Sequence, residues 1–160
     1  MDLQVVDNFL PFYQFKQIRN IIMGKDSSFP WYWADQICYD GDPFYQFYHL
    51  FYNEKTGESK SYSLLNIFNS KLQIRRIRRI TGVLSPRTVF NRKTGYHIDY
   101  RDMRTAIFYL NTNNGYTKFK GCGKVKSIEN RIVIFDSNLE HQGVTCTDQK
   151  RRVVINFNYQ

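Results

Sequence analysis

The spacing of apolar positions changes along this chain. Phe12, Phe15, Ile18 and Ile22 recur every three or four residues, with Lys16, Gln17 and Arg19 between them. That period predicts an amphipathic helix lying on a sheet. Asp7-Asn8 is a candidate cap, Pro11 suits the first turn, and Gly24 suits the stop. Leu64, Leu65, Ile67 and Phe68 predict a second helical stretch between Ser61 and Lys71. Elsewhere the pattern alternates or runs apolar for four to eight residues, which is the signature of strands. Residues 3–6, 31–33, 47–52, 83–90, 96–100, 104–111, 116–119, 125–128, 131–135, 141–145 and 152–159 read this way. Pro86 interrupts one of them and belongs at an edge or bulge. Turns are expected at Asp40-Gly41-Asp42-Pro43, at 53–59, at Asn113-Asn114-Gly115 and at Lys120-Gly121-Cys122-Gly123. Short strands at intervals of 8–12 residues in the later part describe a sandwich or jelly roll.

Composition agrees with a mainly β fold carrying N-terminal helices. Aromatic residues make up 17% of the chain, too many for a disordered one. With 160 residues and no repeat, low-complexity tract or linker, the chain reads as one domain, 1–160. Helices and supporting strands fill 1–90, and the candidate chemistry lies in 91–160. The charge of +9 suits either an acidic partner or a solubilising surface. Arg75, Arg76, Arg78 and Arg79 alternate with Ile74, Ile77 and Ile80. This run reads as a phosphate-binding cluster or as solvent-facing arginines beside a buried isoleucine row. Cys38, Cys122 and Cys146 form no CxxC pair, which points to reduced thiols and a cytoplasmic setting. The N-terminal residues lack the basic and apolar regions of a signal peptide, and no apolar run reaches membrane-spanning length.

Two of the three histidines fall in the last 65 residues. His97 and Asp99 stand two apart, so on a strand they share a face. His141 would come from a neighbouring strand. Two imidazoles and one carboxylate leave coordination positions open, which suits non-haem Fe(II) better than a closed zinc site. Among the other candidates, Tyr96, the Trp31-Tyr32-Trp33 cluster and His49 read best as structural, and Cys122 and Cys146 as fillers.

Gly95-Tyr96-His97-Ile98-Asp99, Ala106 to Asn111, Gly121-Cys122-Gly123, Arg131 to Asp136, His141 to Thr145 and Arg152 to Tyr159 occur in an order that resembles a known family. It is the family of Fe(II)- and 2-oxoglutarate-dependent oxygenases, in its prolyl-hydroxylase-like branch, including small bacteriophage forms. The resemblance implies a double-stranded β-helix, a cupin-like jelly roll. It implies Fe(II) on His97, Asp99 and His141, with 2-oxoglutarate and O2 as co-substrates. The far carboxylate of 2-oxoglutarate would meet an arginine of the last strand and Tyr109, with Ile107 lining the same pocket. Arg151 and Arg152 both fit the family's arginine. Alternation puts Arg152 in the more polar row, with Asn156 and Asn158, and favours it. Val154 stands where many relatives have a small or polar residue. The implied reaction decarboxylates 2-oxoglutarate to succinate and CO2 and hydroxylates a substrate, a peptide side chain before nucleic acid. A phage-encoded protein would work in the host cytoplasm. The rival reading is a non-catalytic jelly-roll binding or structural module.

Overall fold

The computed structural model describes residues 3–37 and 44–160. Cys38 and the turn expected at Asp40-Gly41-Asp42-Pro43 lie outside the described residues. The chain opens with β1 (Gln4–Val6) and α1 (Phe12–Met23), then β2 (Tyr32–Ala34), β3 (Gln46–Asn53) and the two-residue β4 (Gly57–Glu58). A 3-10 helix (Tyr62–Leu65) runs into α2 (Asn66–Lys71). Strands β5 (Ile77–Pro86), β6 (Arg104–Tyr109), β7 (Tyr116–Phe119), β8 (Gly123–Lys126), β9 (Arg131–Asp136), β10 (His141–Val144) and β11 (Arg151–Tyr159) complete it.

The strands form two antiparallel sheets. The larger has the order β1-β9-β6-β11-β5-β3-β2, with β4 on β3; the smaller is β10-β7-β8. The fold is mostly β and jelly-roll-like. Strand parity divides its core. On β11, Val153, Ile155, Phe157 and Tyr159 face the helices, as do Ala106 and Phe108 of β6 and Ile132 and Ile134 of β9. Phe15, Ile18 and Ile22 of α1 and Phe68 of α2 cover that face; the Phe68 ring lies 4.9 Å from Phe108 and 4.6 Å from Phe157. The opposite parity, with Ile107, Tyr109, Val133, Phe135 and Val154, packs with Phe119 and Val125 of the smaller sheet. Each fully buried large apolar side chain contributes roughly 1.5–3 kcal/mol.

Two polar clamps hold the N-terminal part on this frame. The buried Asn130 side chain accepts from Leu10 N and donates to Leu10 O. Arg151 donates from Nη2 to Met23 O at 2.6 Å, tying the end of α1 to β11. α1 ends at Gly24, where any other residue would place its Cβ 2.3 Å from Asn20 O.

Several expectations are corrected. Asp7 does not cap α1; its carboxylate pairs with Arg131, and Pro11 occupies the cap position without a side-chain bond. The strand expected at 83–90 instead spans Ile77–Pro86, taking in the arginine-isoleucine alternation. It stops at Pro86, which has no N–H to continue a ladder, and Val89 and Phe90 are exposed. No strand forms at 96–100: His97 makes one isolated bridge to His141, and the chain then leaves the sheet edge. Tyr96 is exposed rather than core, and so are Tyr32 and Trp33. Of that aromatic trio only Trp31 packs against the core.

Candidate metal centre and its cavity

His97, Asp99 and His141 reach one point from different elements. His141 opens β10 and is buried beneath Phe135, whose ring lies 4.9 Å away. The bridge between His97 and His141, with each N–H donating to the other's carbonyl at 3.0 Å, sets the two rings 4.6 Å apart. Asp99 follows in the irregular chain beyond the bridge. Its Oδ1 lies 3.7 Å from His97 Nε2, and its Oδ2 lies 4.0 Å from His141 Nε2. One ligand atom from each residue falls within 4.8 Å of the other two, close enough for a single ion to bind all three.

The surroundings prepare these atoms for a cation. His97 Nδ1 faces Gly95 O and His141 Nδ1 faces Leu139 O, both at 3.1 Å. A carbonyl accepts only, so each Nδ1 carries the hydrogen and each Nε2 presents a lone pair toward Asp99. Burial pushes the His141 pKa below the ordinary imidazole value, while Asp99 pulls it up more weakly. The neutral, ligating form is therefore favoured. Asp99 Oδ2 accepts from Asn158 Nδ2 at 2.8 Å and from Thr105 Oγ1 at 3.4 Å, and Thr105 is braced by Ser137 at 2.8 Å. A two-imidazole, one-carboxylate set with open positions is the donor chemistry of a non-haem Fe(II) centre.

The triad forms one wall of a cavity of about 300 Å3 that extends inward between the sheets. Ile107, Thr117, Arg152, Val154 and Asn156 line its interior. Arg152 is 5% exposed, and no carboxylate pairs with it among the described residues. Its Nε donates to Ser127 Oγ at 3.0 Å and its Nη2 to Thr117 Oγ1 at 3.1 Å. The guanidinium carbon lies 5.7 Å from the centre of the Tyr109 ring. Burial lowers the Arg152 pKa from its usual value, yet an arginine keeps its charge. An uncompensated buried cation beside a cavity is a receptor for an anion.

Tyr109 is not among the residues that line that cavity. Tyr109 is fully buried behind it and donates to Thr117 Oγ1 at 2.8 Å. Burial raises its pKa, although Arg152 pulls the other way, so it stays a neutral donor. Thr117, which lines the cavity, thus accepts from both Tyr109 and Arg152, leaving its own hydrogen to donate elsewhere. Thr117 was absent from the sequence-derived site, although its alternation with Phe119 marked an inward face. Arg151 points to the opposite side, to Met23 O.

The arginine run divides too, across a register shift between Ile77 and Arg79. Arg76 and Arg78 clamp the Glu54 carboxylate. Arg79 turns into the cavity, with Nη2 3.6 Å from Asp99 Oδ1 and its guanidinium 5.2 Å from the Tyr100 ring. His49 is structural: buried, with Nδ1 at 2.9 Å from Pro30 O and Nε2 at 3.0 Å from Ser59 Oγ. Cys146 is buried and Cys122 exposed.

No protein-family model matches the sequence, and no curated protein matches it. Solved structures do match. A Burkholderia pseudomallei oxidoreductase of the 2OG-Fe(II) oxygenase family superposes with a TM-score of 0.72 at 11% identity, covering 99% of this chain and 84% of that one. A Trichoplax adhaerens prolyl hydroxylase in complex with a hypoxia inducible factor peptide gives 0.67 at 14% identity, covering 98% and 82%. The fold is that of the 2-oxoglutarate-Fe(II) oxygenases. A Pseudomonas putida prolyl-4-hydroxylase shares this oxygenase fold, at a TM-score of 0.62 and 14% identity over 99% of this chain and 92% of that one. Within the oxygenase fold, the triad stands on the smaller sheet and the loop bridged to it, and Arg152 on the larger sheet. No helix among the described residues is long and apolar enough to cross a membrane.

Proposed function

We propose that this protein is an Fe(II)- and 2-oxoglutarate-dependent oxygenase with a double-stranded β-helix core that hydroxylates a peptide side chain. The observation that carries this reading is the pairing, in one cavity, of an open His97-Asp99-His141 set with the unpaired buried Arg152. His97, Asp99 and His141 would hold Fe(II), which would supply the O2 activation and the oxidative decarboxylation of 2-oxoglutarate to succinate and CO2. The chain supplies the rest. His97 and His141 offer Nε2, held by the carbonyls behind them. Asn158 and Thr105 orient the Asp99 carboxylate. Arg152 and the Thr117 hydroxyl bind the far carboxylate of 2-oxoglutarate, and Tyr109 positions Thr117. Ile107 and Val154 flank the carbon chain and exclude water.

The peptide assignment is supported by the prolyl hydroxylases among the matching structures, one of which holds a peptide. The nucleic-acid alternative rested on the net charge of +9 and on the arginine run, and two of those arginines are engaged by Glu54. A succinate-release screen over proline-containing peptides, nucleotides and free amino acids tests the assignment. Peptides should raise succinate above the substrate-free rate. Stimulation by oligonucleotides alone would replace the peptide reading. His97→Ala should lose bound metal, whereas a non-catalytic module would show no difference.

A further inference from the structure

Six buried side-chain atoms among the described residues have no hydrogen-bond partner, and four of them form one patch: Arg79 Nε, Thr81 Oγ1, Asn156 Oδ1 and Asn158 Oδ1. The register explains the clustering. Asn156 pairs with Thr81 and Asn158 with Arg79 on the adjacent strands β11 and β5, so all four side chains share the inward face. Buried polar atoms are nearly always satisfied, and a patch of them beside a cavity calls for ordered water or a polar ligand. Arg79, Thr81 and Asn156 line the same cavity as the triad. Asn156 stands four residues along β11 from Arg152, and Thr81 and Arg79 lie on β5 opposite Asn156 and Asn158, at the other end of the cavity face.

Charge narrows the ligand. The anion nearest Arg79 is Asp99, at 3.6 Å. Once Asp99 binds a divalent ion, Arg79 is left beside a like charge. A bound anion offsets both. We infer that Arg79, with Thr81 and Asn156, forms a second carboxylate-binding subsite at the metal, separate from Arg152. This rests on the oxygenase reading above. The carboxylate could come from the metal-chelating end of 2-oxoglutarate or from the substrate to be hydroxylated, and the two sources share the same chemistry.

Calorimetric titration of the Mn(II)-loaded full chain separates them, with Arg79→Met compared to the parent. 2-Oxoglutarate is titrated first, then L-proline and L-prolinamide into the Mn(II)/2-oxoglutarate complex. Loss of one charge-assisted bond should weaken the carboxylate partner about tenfold. Weaker 2-oxoglutarate binding assigns the subsite to the co-substrate. Unchanged 2-oxoglutarate binding, with L-proline lost and L-prolinamide indifferent, assigns it to the substrate. Arg79→Lys should restore part of either loss. If no affinity changes, or only that for Mn(II), Arg79 merely positions Asp99 and the subsite is overturned. If the parent itself fails to bind 2-oxoglutarate, the oxygenase reading falls first and the subsite falls with it.

Discussion

At the scale of single residues, the strongest contrast is between two adjacent arginines. Arg152 is buried with no acid beside it, and Arg151 holds the end of α1. Arg152→Leu should weaken 2-oxoglutarate binding about ten- to hundredfold, the worth of a charged hydrogen-bonded contact. Arg151→Ala should leave that affinity unchanged and lower stability by about 1 kcal/mol. Calorimetry and thermal denaturation of both variants check the pair. His49 gives a pH prediction. Burial lowers its pKa below the ordinary value of 6.5, against the pull of Pro30 O. As pH falls through 6.5, the unfolded chain takes up a proton that the folded chain refuses, so stability declines. Above that pH both states are neutral and the effect vanishes. Melting temperature should therefore fall as pH drops from about 7 to about 5.5, and His49→Gln should flatten the slope. The triad was legible in the sequence because histidines are scarce and the His97-Asp99 spacing is compact. Thr117, Arg79 and Asn158 were not, because their roles depend on which strands lie beside β11.

At the scale of elements, alternation was the most informative signal. It separated Arg151 from Arg152 and split β6, β9 and β11 into helix-facing and inward rows. It failed where the backbone leaves the sheet. The 96–100 segment alternates like a strand, but its only ladder contact is the His97–His141 bridge. Asp99 is instead positioned by the side chains of Asn158 and Thr105. The turn before β7 is equally exacting. A Cβ on Gly115 would lie 2.7 Å from both Asn113 Oδ1 and Val144 O and 2.8 Å from Arg152 Cδ. Gly115→Ala should destabilise the fold by roughly 1–3 kcal/mol through overpacking. It should also displace Arg152, so the surviving folded protein should bind 2-oxoglutarate less tightly at an unchanged Mn(II) affinity. Denaturant melts and calorimetry on one preparation test both effects.

At the scale of the molecule, the N-terminal half is part of the sheet that carries Arg152 rather than an addition to it. β1 pairs with β9, and β5 pairs with β11, whose inward side carries Arg152 and Asn158. The one-domain reading therefore expects a single cooperative unfolding transition that removes metal binding with it. The central claim is that triad and Arg152 act together on one co-substrate. Its most direct measurement is O2 uptake with succinate formation by the Fe(II)-loaded protein given 2-oxoglutarate, compared with Asp99→Ala and Arg152→Leu. The account predicts equimolar O2 and 2-oxoglutarate consumption by the parent, none by Asp99→Ala, and a raised 2-oxoglutarate requirement in Arg152→Leu. No succinate from the metal-loaded parent, or equal succinate from Asp99→Ala, would contradict it.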